Sequence, residues 1–497
     1  MENNTLNEDK GNSSQKSLWE KITESLILKI FVIFFLMLIL LIPLTLISDL
    51  INERKLREIN VSTEIARKWG LDQVITSPII AVPYDMVKET VEKGTDGKNN
   101  IIKSVETEWA FLLPETTTIK AKVEPESLKR GIYQAIVYNS NISLKGSFKP
   151  FDLVKLKLND TDLKWHEAKL IFGIQDVKGL TLIPKVKLGA KDYEMGKYYQ
   201  DLNLFNSNLT VDLALDGNNS LDQSFEINLD LKGSKSLNFL PLAKQTKIEA
   251  SGTWSNPSFN GNFLPDDRKV DTTFQASWNI PDFSRKQSQQ WRGSPSAVYF
   301  LRGIDMVNED NSTIEYTEAV YPAPKVIEGA VGTQMTSDDF DMVQINFLPQ
   351  VNNYQKITRV TKYGALVLAL TFVSLVFMEI IKKQRVHILQ YVLIGFAMVL
   401  FYALLLAISE HIGFNMAYLS AGLATIILIG SFIKAITKDT KSALIFSAIL
   451  TLFYTFIFVL LQLRDYSLIV GTIGLFIILA VLMRLSTKIN WYQFEKQ

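Results

Sequence analysis

The chain contains no cysteine. That excludes a disulfide framework, a thiolate zinc site, an iron–sulfur cluster and a cysteine nucleophile. Histidine is almost as scarce, with 3 residues in 497. One of them, His166, lies in the polar middle of the chain, so that region has no second imidazole with which to build a metal site. Charge of one sign is missing too: 52 Lys and Arg stand against 51 Asp and Glu, a net charge of +1. Neither half is strongly basic, which removes the electrostatic footprint of a nucleic-acid partner. There is no P-loop to indicate an ATPase. Nothing resembles a cleaved leader: the first apolar run starts near residue 26, is about 20 residues long and lacks a small-residue cleavage site. It reads as an uncleaved anchor.

What the chain does have is apolar length. The 47% hydrophobic content and the mean hydropathy of +0.12 come from the two ends, and the middle is an ordinary water-soluble mixture. From Thr361 to Leu485 five apolar segments follow one another, at about residues 361–381, 388–408, 415–433, 442–463 and 467–485. A bilayer core of about 30 Å takes roughly 20 helical residues, and hydrocarbon forces every backbone polar group to pair within its own element. Six helical spans are therefore expected, one leading and five trailing. The domains expected are a polar tail (1–25), a first transmembrane helix (26–48), a juxtamembrane helix (49–70), a β-rich domain (71–358), a five-helix domain (359–487) and a second tail (488–497).

Lys and Arg in the short connections set the orientation. Lys382, Lys383 and Arg385 occupy one loop, and Lys434, Lys438 and Lys441 another; Arg484 and Lys488 follow the last span. The alternate loops hold only Arg464, beside Asp465. Both termini are expected in the cytoplasm and residues of about 50–360 on the outer face.

In the insertion the apolar period changes to two. Leu209, Val211, Leu213 and Leu215 alternate with polar residues, Gly217-Asn218-Asn219 interrupts, and Phe225, Ile227, Leu229 and Leu231 alternate again. The pattern predicts a hairpin with one buried face. Similar alternation at Ile119–Val123, Ile248–Trp254 and Phe274–Ile280, with turns at Asp96-Gly97, Gly233-Ser234 and Asn260-Gly261, predicts an all-β, sandwich-like extracytoplasmic domain. Whether it forms one sandwich or two is open at this point. His166-Glu167 reads as an exposed strand pair, Asp266-Asp267-Arg268 as a solvated turn, and Trp254, Phe259, Phe263, Phe274 and Trp278 as core, with a lipid or peptide groove as the competing reading.

Ionisable residues near hydrocarbon carry the functional candidates. Glu379 has Lys382 and Lys383 three and four residues on, the helical spacing of a local ion pair. Ser409-Glu410-His411 closes a span at the outer surface. Glu beside His can handle protons, because burial raises a carboxylate's pKa and a neighbouring anion raises that of histidine. The competing reading is a structural polar hinge. Arg385 and His387 complete the set. None is assigned a catalytic, cofactor or metal role.

Tyr354-Gln355, Arg359, Thr361-Lys362-Tyr363, Glu379, Gln384-Arg385-Val386-His387, Gln390-Tyr391, the run Leu404 to Phe414 and Trp491-Tyr492 stand in a recognisable order and spacing. So do Pro78, Pro83, Leu113-Pro114-Glu115, Gly131-Ile132-Tyr133, Asp176 with Gly179, and the run Trp254 to Pro265. In these marks the chain resembles the CreD family of bacterial inner-membrane proteins, also described as cell envelope integrity proteins. It departs from them at Gln350-Val351-Asn352, where many relatives carry Pro-Val-Asp, and at Gln344. The resemblance implies a role in envelope integrity under stress, in a family under two-component control that affects tolerance to certain colicins and envelope-active antibiotics; with a large outer domain and no recognisable catalytic or phosphate-binding constellation, that role reads as non-enzymatic. It implies no reaction, catalytic residue or cofactor. The implied partners are the lipid bilayer and, for the outer domain, envelope lipids, peptidoglycan or an envelope protein. The alternative is a transporter or lipid-handling protein using Glu410 and His411.

Overall fold

The structure, a computed structural model, describes residues 26–93, 99–197, 202, 204–205, 207–285, 287–293, 341–347, 353–382, 386–463 and 466–487. The chain divides into two compact units, Met1–Glu58 with Val351–Gln497, and Ile59–Gln350.

The first unit is helical. Helix α1 (Leu26–Trp69) carries Pro43 inside it and continues without a break into the segment expected as a separate juxtamembrane helix. The unit boundary falls within it, after Glu58. Then come α2 (Asn353–Lys362), α3 (Gly364–Lys382), α4 (Ile388–Ile412), α5 (Phe414–Thr437), α6 (Thr440–Gln462) and α7 (Ser467–Ser486). Among the described residues six helices, α1 and α3 to α7, are long and apolar enough to cross a membrane. The first of the trailing spans starts at Gly364 rather than Thr361, because Thr361 belongs to α2, a separate amphipathic helix. Ser409, Glu410 and His411 form the last turn of α4, and Gly413 alone breaks the helix before Phe414. Its φ of +79° is one that a side chain would strain.

Small residues let these helices approach closely. Leu40 of α1 packs onto Gly395 of α4, and Leu44 onto Gly364 of α3; a Cβ at either glycine would stand 2.2 and 2.8 Å from the leucine methyls. Between α4, α5 and α6, the ring of Phe401 meets Tyr418 at 5.5 Å and Tyr454 at 4.7 Å. The Tyr418 hydroxyl donates to the Tyr454 carbonyl at 2.8 Å. That bond matters where no water can replace it. By contrast α7 exposes Leu468, Phe476 and Met483, a surface suited to lipid tails.

The second unit is β-rich. Its strands are β1 (Gln73–Thr76), β2 (Ile79–Lys93), β3 (Asn99–Leu112), β4 (Thr116–Arg130), β5 (Tyr133–Ser147) and β6 (Ala168–Gly173). Next come β7 (Lys185–Leu188), β8 (Lys191–Glu194), β9 (Gly196–Lys197), β10 (Asn208–Leu213), β11 (Ser224–Ser234) and β12 (Ser236–Leu240). The last are β13 (Gln245–Gly252), β14 (Pro257–Gly261), β15 (Asp267–Val270), β16 (Phe274–Pro281), β17 (Gln290–Gly293) and β18 (Val343–Phe347). They form three sheets, ordered β1-β12-β18-β14, β17-β3-β2-β6-β10-β9 and β15-β16-β13-β4-β5-β11-β7-β8. Pairing is antiparallel except at β1–β12 and β4–β13. One core draws on all three: Val82 and Leu170, Ile119 and Ile227, Phe239 and Ile345 belong to it together. The two faces of β2 then separate: Ile80, Val82 and Tyr84 enter that core, while Ile79 and Ala81 join a second one with Phe111, Ile171 and Phe205. Strand alternation produces this split, since successive side chains point to opposite faces.

The segments around Leu209 and Phe225 are strands with the expected buried face, but they are not a hairpin. β10 pairs with β6 and β9, and β11 with β5 and β7. Their apolar faces meet across the shared core instead. Between them the Asn218 side chain is held on both sides by Phe151, accepting from its N–H at 2.8 Å and donating to its carbonyl at 2.9 Å. That anchor carries the chain from one sheet to the other. Gly233-Ser234 likewise ends β11 rather than turning it; the bend is at Lys235, with φ of 57°. The Asp96-Gly97 turn lies outside the described residues.

Candidate functional site

Among the described residues of the helical unit, charged side chains link helices at the following three places. The first joins α1, α3 and α4. The Lys29 ammonium donates to Glu379 Oε1 and, at 2.6 Å, to the Val386 carbonyl. The Tyr391 hydroxyl donates to Glu379 Oε2 at 2.9 Å. Lys29 Nζ also lies 5.7 Å from the centroid of the Tyr391 ring, which meets Phe372 edge-on at 5.8 Å. The Lys29 and Glu379 side chains keep only 11% and 12% of their exposure. A cation inside an apolar run has no water to turn to, so an opposite charge on a neighbouring helix is its natural partner.

This corrects the local pairing of Glu379 with Lys382. Lys382 instead donates to Asp439 Oδ2 at 3.2 Å, linking the end of α3 to the start of α6; Lys383 lies outside the described residues. Asp439 also caps α6, accepting from the N–H of Lys441 at 3.0 Å and of Ser442 at 3.3 Å, and from the Ser442 hydroxyl at 2.6 Å. The Ser442 hydroxyl, the Lys441 amide and the Lys382 ammonium together hold its carboxyl well below the usual carboxylate range.

The third link lies at the other end of α4. Glu410 Oε1 accepts from the Tyr354 hydroxyl of α2 at 3.1 Å and stands 3.9 Å from Arg54 Nε of α1. Beside it, Asn353 Nδ2 donates to the Ser409 carbonyl at 3.4 Å. The buried Ser409 hydroxyl turns back onto its own helix, donating to Leu406 O at 2.8 Å. His411 is exposed. At about 1.5 Å per residue, Tyr391 and Glu410 stand about 28 Å apart along α4, so the Glu379 and Glu410 links occupy opposite ends of that helix.

His387 sits at the N-cap of α4: its Nδ1 accepts from Leu389 N–H at 3.2 Å, and its own N–H donates to the Gln390 side chain at 2.9 Å. Arg385 lies outside the described residues. In the β unit, His166 and Glu167 are exposed, on a short 3-10 turn rather than a strand, and Asp266 accepts from Asn279 N–H at 2.8 Å. Phe274 and Trp278 are core, with Trp254, Phe259 and Phe263 packed on its edge. Asp176 ties a loop to the first strand, accepting from Leu71 N–H at 2.9 Å while its own N–H donates to Gln73 at 3.2 Å. Among the described residues no group of three or more His, Asp or Glu is placed to hold a metal ion.

The sequence pointed to Glu379 and Glu410 but not to Lys29, Tyr391, Tyr354 or Arg54 as their partners, nor to Asp439 as the partner of Lys382. The available signal was the rule that charges in hydrocarbon pair with one another, applied between distant runs instead of within one.

Among the described residues, one apolar helix, then a β unit, then five more apolar helices, with a buried ion pair tying the first helix to the later ones, define a multi-pass membrane protein with a large inserted β domain. The family described as inner membrane protein CreD matches residues 25–492, and the chain belongs to it. It is similar to inner membrane protein CreD of Escherichia coli (strain K12), with 28% identity over 467 residues and 92% of each chain covered. It is thus a multi-pass protein of the inner membrane.

Proposed function

We propose that this protein maintains envelope integrity under stress without catalysing a reaction. The β unit, on the periplasmic side, binds an envelope lipid, peptidoglycan or an envelope protein, and the helical unit anchors it with both termini in the cytoplasm. The observation that best supports this reading is the engagement of the buried carboxylates. Glu379 is bound by Lys29 and Tyr391, and Glu410 by Tyr354 with Arg54 nearby. Carboxylates held this way brace helices, whereas a general base or proton carrier needs an accessible lone pair or a relay partner. Glu410 is directed to Tyr354 and Arg54 while His411 is exposed, which weakens the transport reading.

Because the chain has no cysteine, single cysteines can be introduced without background. In intact spheroplasts an impermeant thiol reagent should modify Phe283→Cys, a position 94% exposed, and spare Lys438→Cys until lysis. The reverse pattern overturns the topology. In cells lacking their own relative, the chain should restore tolerance to an envelope-active antibiotic. Glu410→Gln at matched protein level should still do so; its failure would favour transport.

A further inference from the structure

Helix α2 combines a fixed seat with an open basic stripe. Tyr354, Ile357, Val360 and Thr361 are buried against the rest of the helical unit, and the Tyr354 hydroxyl is tied to Glu410 at 3.1 Å. Lys356, Arg359 and Lys362 recur every third residue, which places them in one stripe rising by about 9 Å. Arg359 and Lys362 are exposed. Lys356 is half-buried, with its ammonium 5.4 Å from the centroid of the Phe414 ring. Among the described residues neither Arg359 nor Lys362 has a carboxylate partner. Glu410 meets the helix from its buried side. Lys362 lies two residues before Gly364, where the apolar span α3 begins. The stripe therefore stands at the level where hydrocarbon gives way to headgroups.

We propose that Lys356, Arg359 and Lys362 bind the phosphate of an anionic phospholipid headgroup in the leaflet at the Glu410 end of the helical unit. The occupant follows from charge and depth. Three cations that, among the described residues, have no carboxylate partner at a headgroup boundary attract a net negative lipid, and the planar Arg359 guanidinium can grip a phosphate with two parallel hydrogen bonds. A zwitterionic lipid carries its own compensating ammonium and gains less. Because α2 is already held by its buried face, capture of the headgroup orders little that was loose. Glu410 is a positioning residue here: it fixes α2 through Tyr354 and does not touch lipid. This holds whichever leaflet that end occupies, so it stands apart from the proposed topology.

The test is native mass spectrometry of the full chain in detergent, titrated with phosphatidylglycerol or phosphatidylcholine. Phosphatidylglycerol should bind preferentially, and added salt should reduce the preference. The variant K356Q/R359Q/K362Q should weaken phosphatidylglycerol binding about tenfold or more, while K356R/K362R, which keeps the charge and Arg359, should retain it. Tyr354→Phe, which breaks the link to Glu410 without changing charge, should weaken it by a smaller factor and leave phosphatidylcholine binding unchanged. Equal binding of the two lipids overturns the proposal. So does a preference that survives the triple glutamine variant, or one that disappears instead with K434Q/K438Q/K441Q.

Discussion

Taking away the Lys29 ammonium isolates a buried carboxylate. In Lys29→Met, Glu379 keeps the Tyr391 hydroxyl at 2.9 Å but loses its counter-charge. Breaking a buried pair from one side costs about 3–5 kcal/mol, because the remaining charge stays buried and uncompensated. Side-chain exposures of 11% and 12% mean that water screens little of that. Glu379→Leu should cost a similar amount, leaving Lys29 with the Val386 carbonyl at 2.6 Å. The double variant removes both charges, and replacing a whole buried pair by apolar residues is often neutral. It should therefore be more stable than either single variant. The readout is the loss of helical circular dichroism during denaturant titration in detergent micelles, with limited proteolysis to follow release of α1. Single variants that unfold with the parent would refute the reasoning, and so would losses that simply add in the double variant.

Tyr354→Phe and Glu410→Gln should each destabilise α2, seen as faster cleavage around Lys356 and Arg359. Their effects should be non-additive, since both act on the one contact between Tyr354 and residue 410, which Tyr354→Phe removes and Glu410→Gln leaves without its charge. Asp439 has a folded pKa below its unfolded value. Its contribution is complete above the unfolded carboxyl value of about 4 and is lost as pH falls through the depressed folded value. Asp439→Asn should thus melt earlier at neutral pH and show a shallower acid dependence than the parent. In the β unit, Gly233→Ala would place a methyl 2.3 Å from the Tyr138 hydroxyl, which donates to Ser236 O at 2.8 Å. Overpacking there should cost about 1–3 kcal/mol in the tryptophan-detected unfolding of the full chain; no change would place slack around Tyr138.

The helices were readable because apolar length alone identifies them. A run such as Ile388 to Ile412 needs no partner to be recognised, and the strands around Ile119, Ile227 and Trp278 showed their buried faces by alternation. Partners were not readable in the same way. Period two tells which face of β10 and β11 is buried but not which edge each pairs with, so adjacent strands suggested a hairpin where the fold uses facing sheets. Helical spacing likewise favoured Lys382 for Glu379, since a local rule sees three residues ahead. Lys29 is 350 residues away, beyond any periodicity. The same blindness hid Tyr354 and Arg54 from Glu410, and α2 was merged with α3 because one residue, Tyr363, separates them.

That 350-residue gap has a consequence during synthesis. A ribosome adding about 5–20 residues each second makes Glu379 roughly 20–70 s after Lys29. Throughout that wait the nascent N-terminal helix carries a bare ammonium, which its long stem can lift toward the lipid surface while the intervening chain is being made. The leading helix is thus the first to be made, and its docking must wait until α3 and α4 have followed the whole β unit off the ribosome.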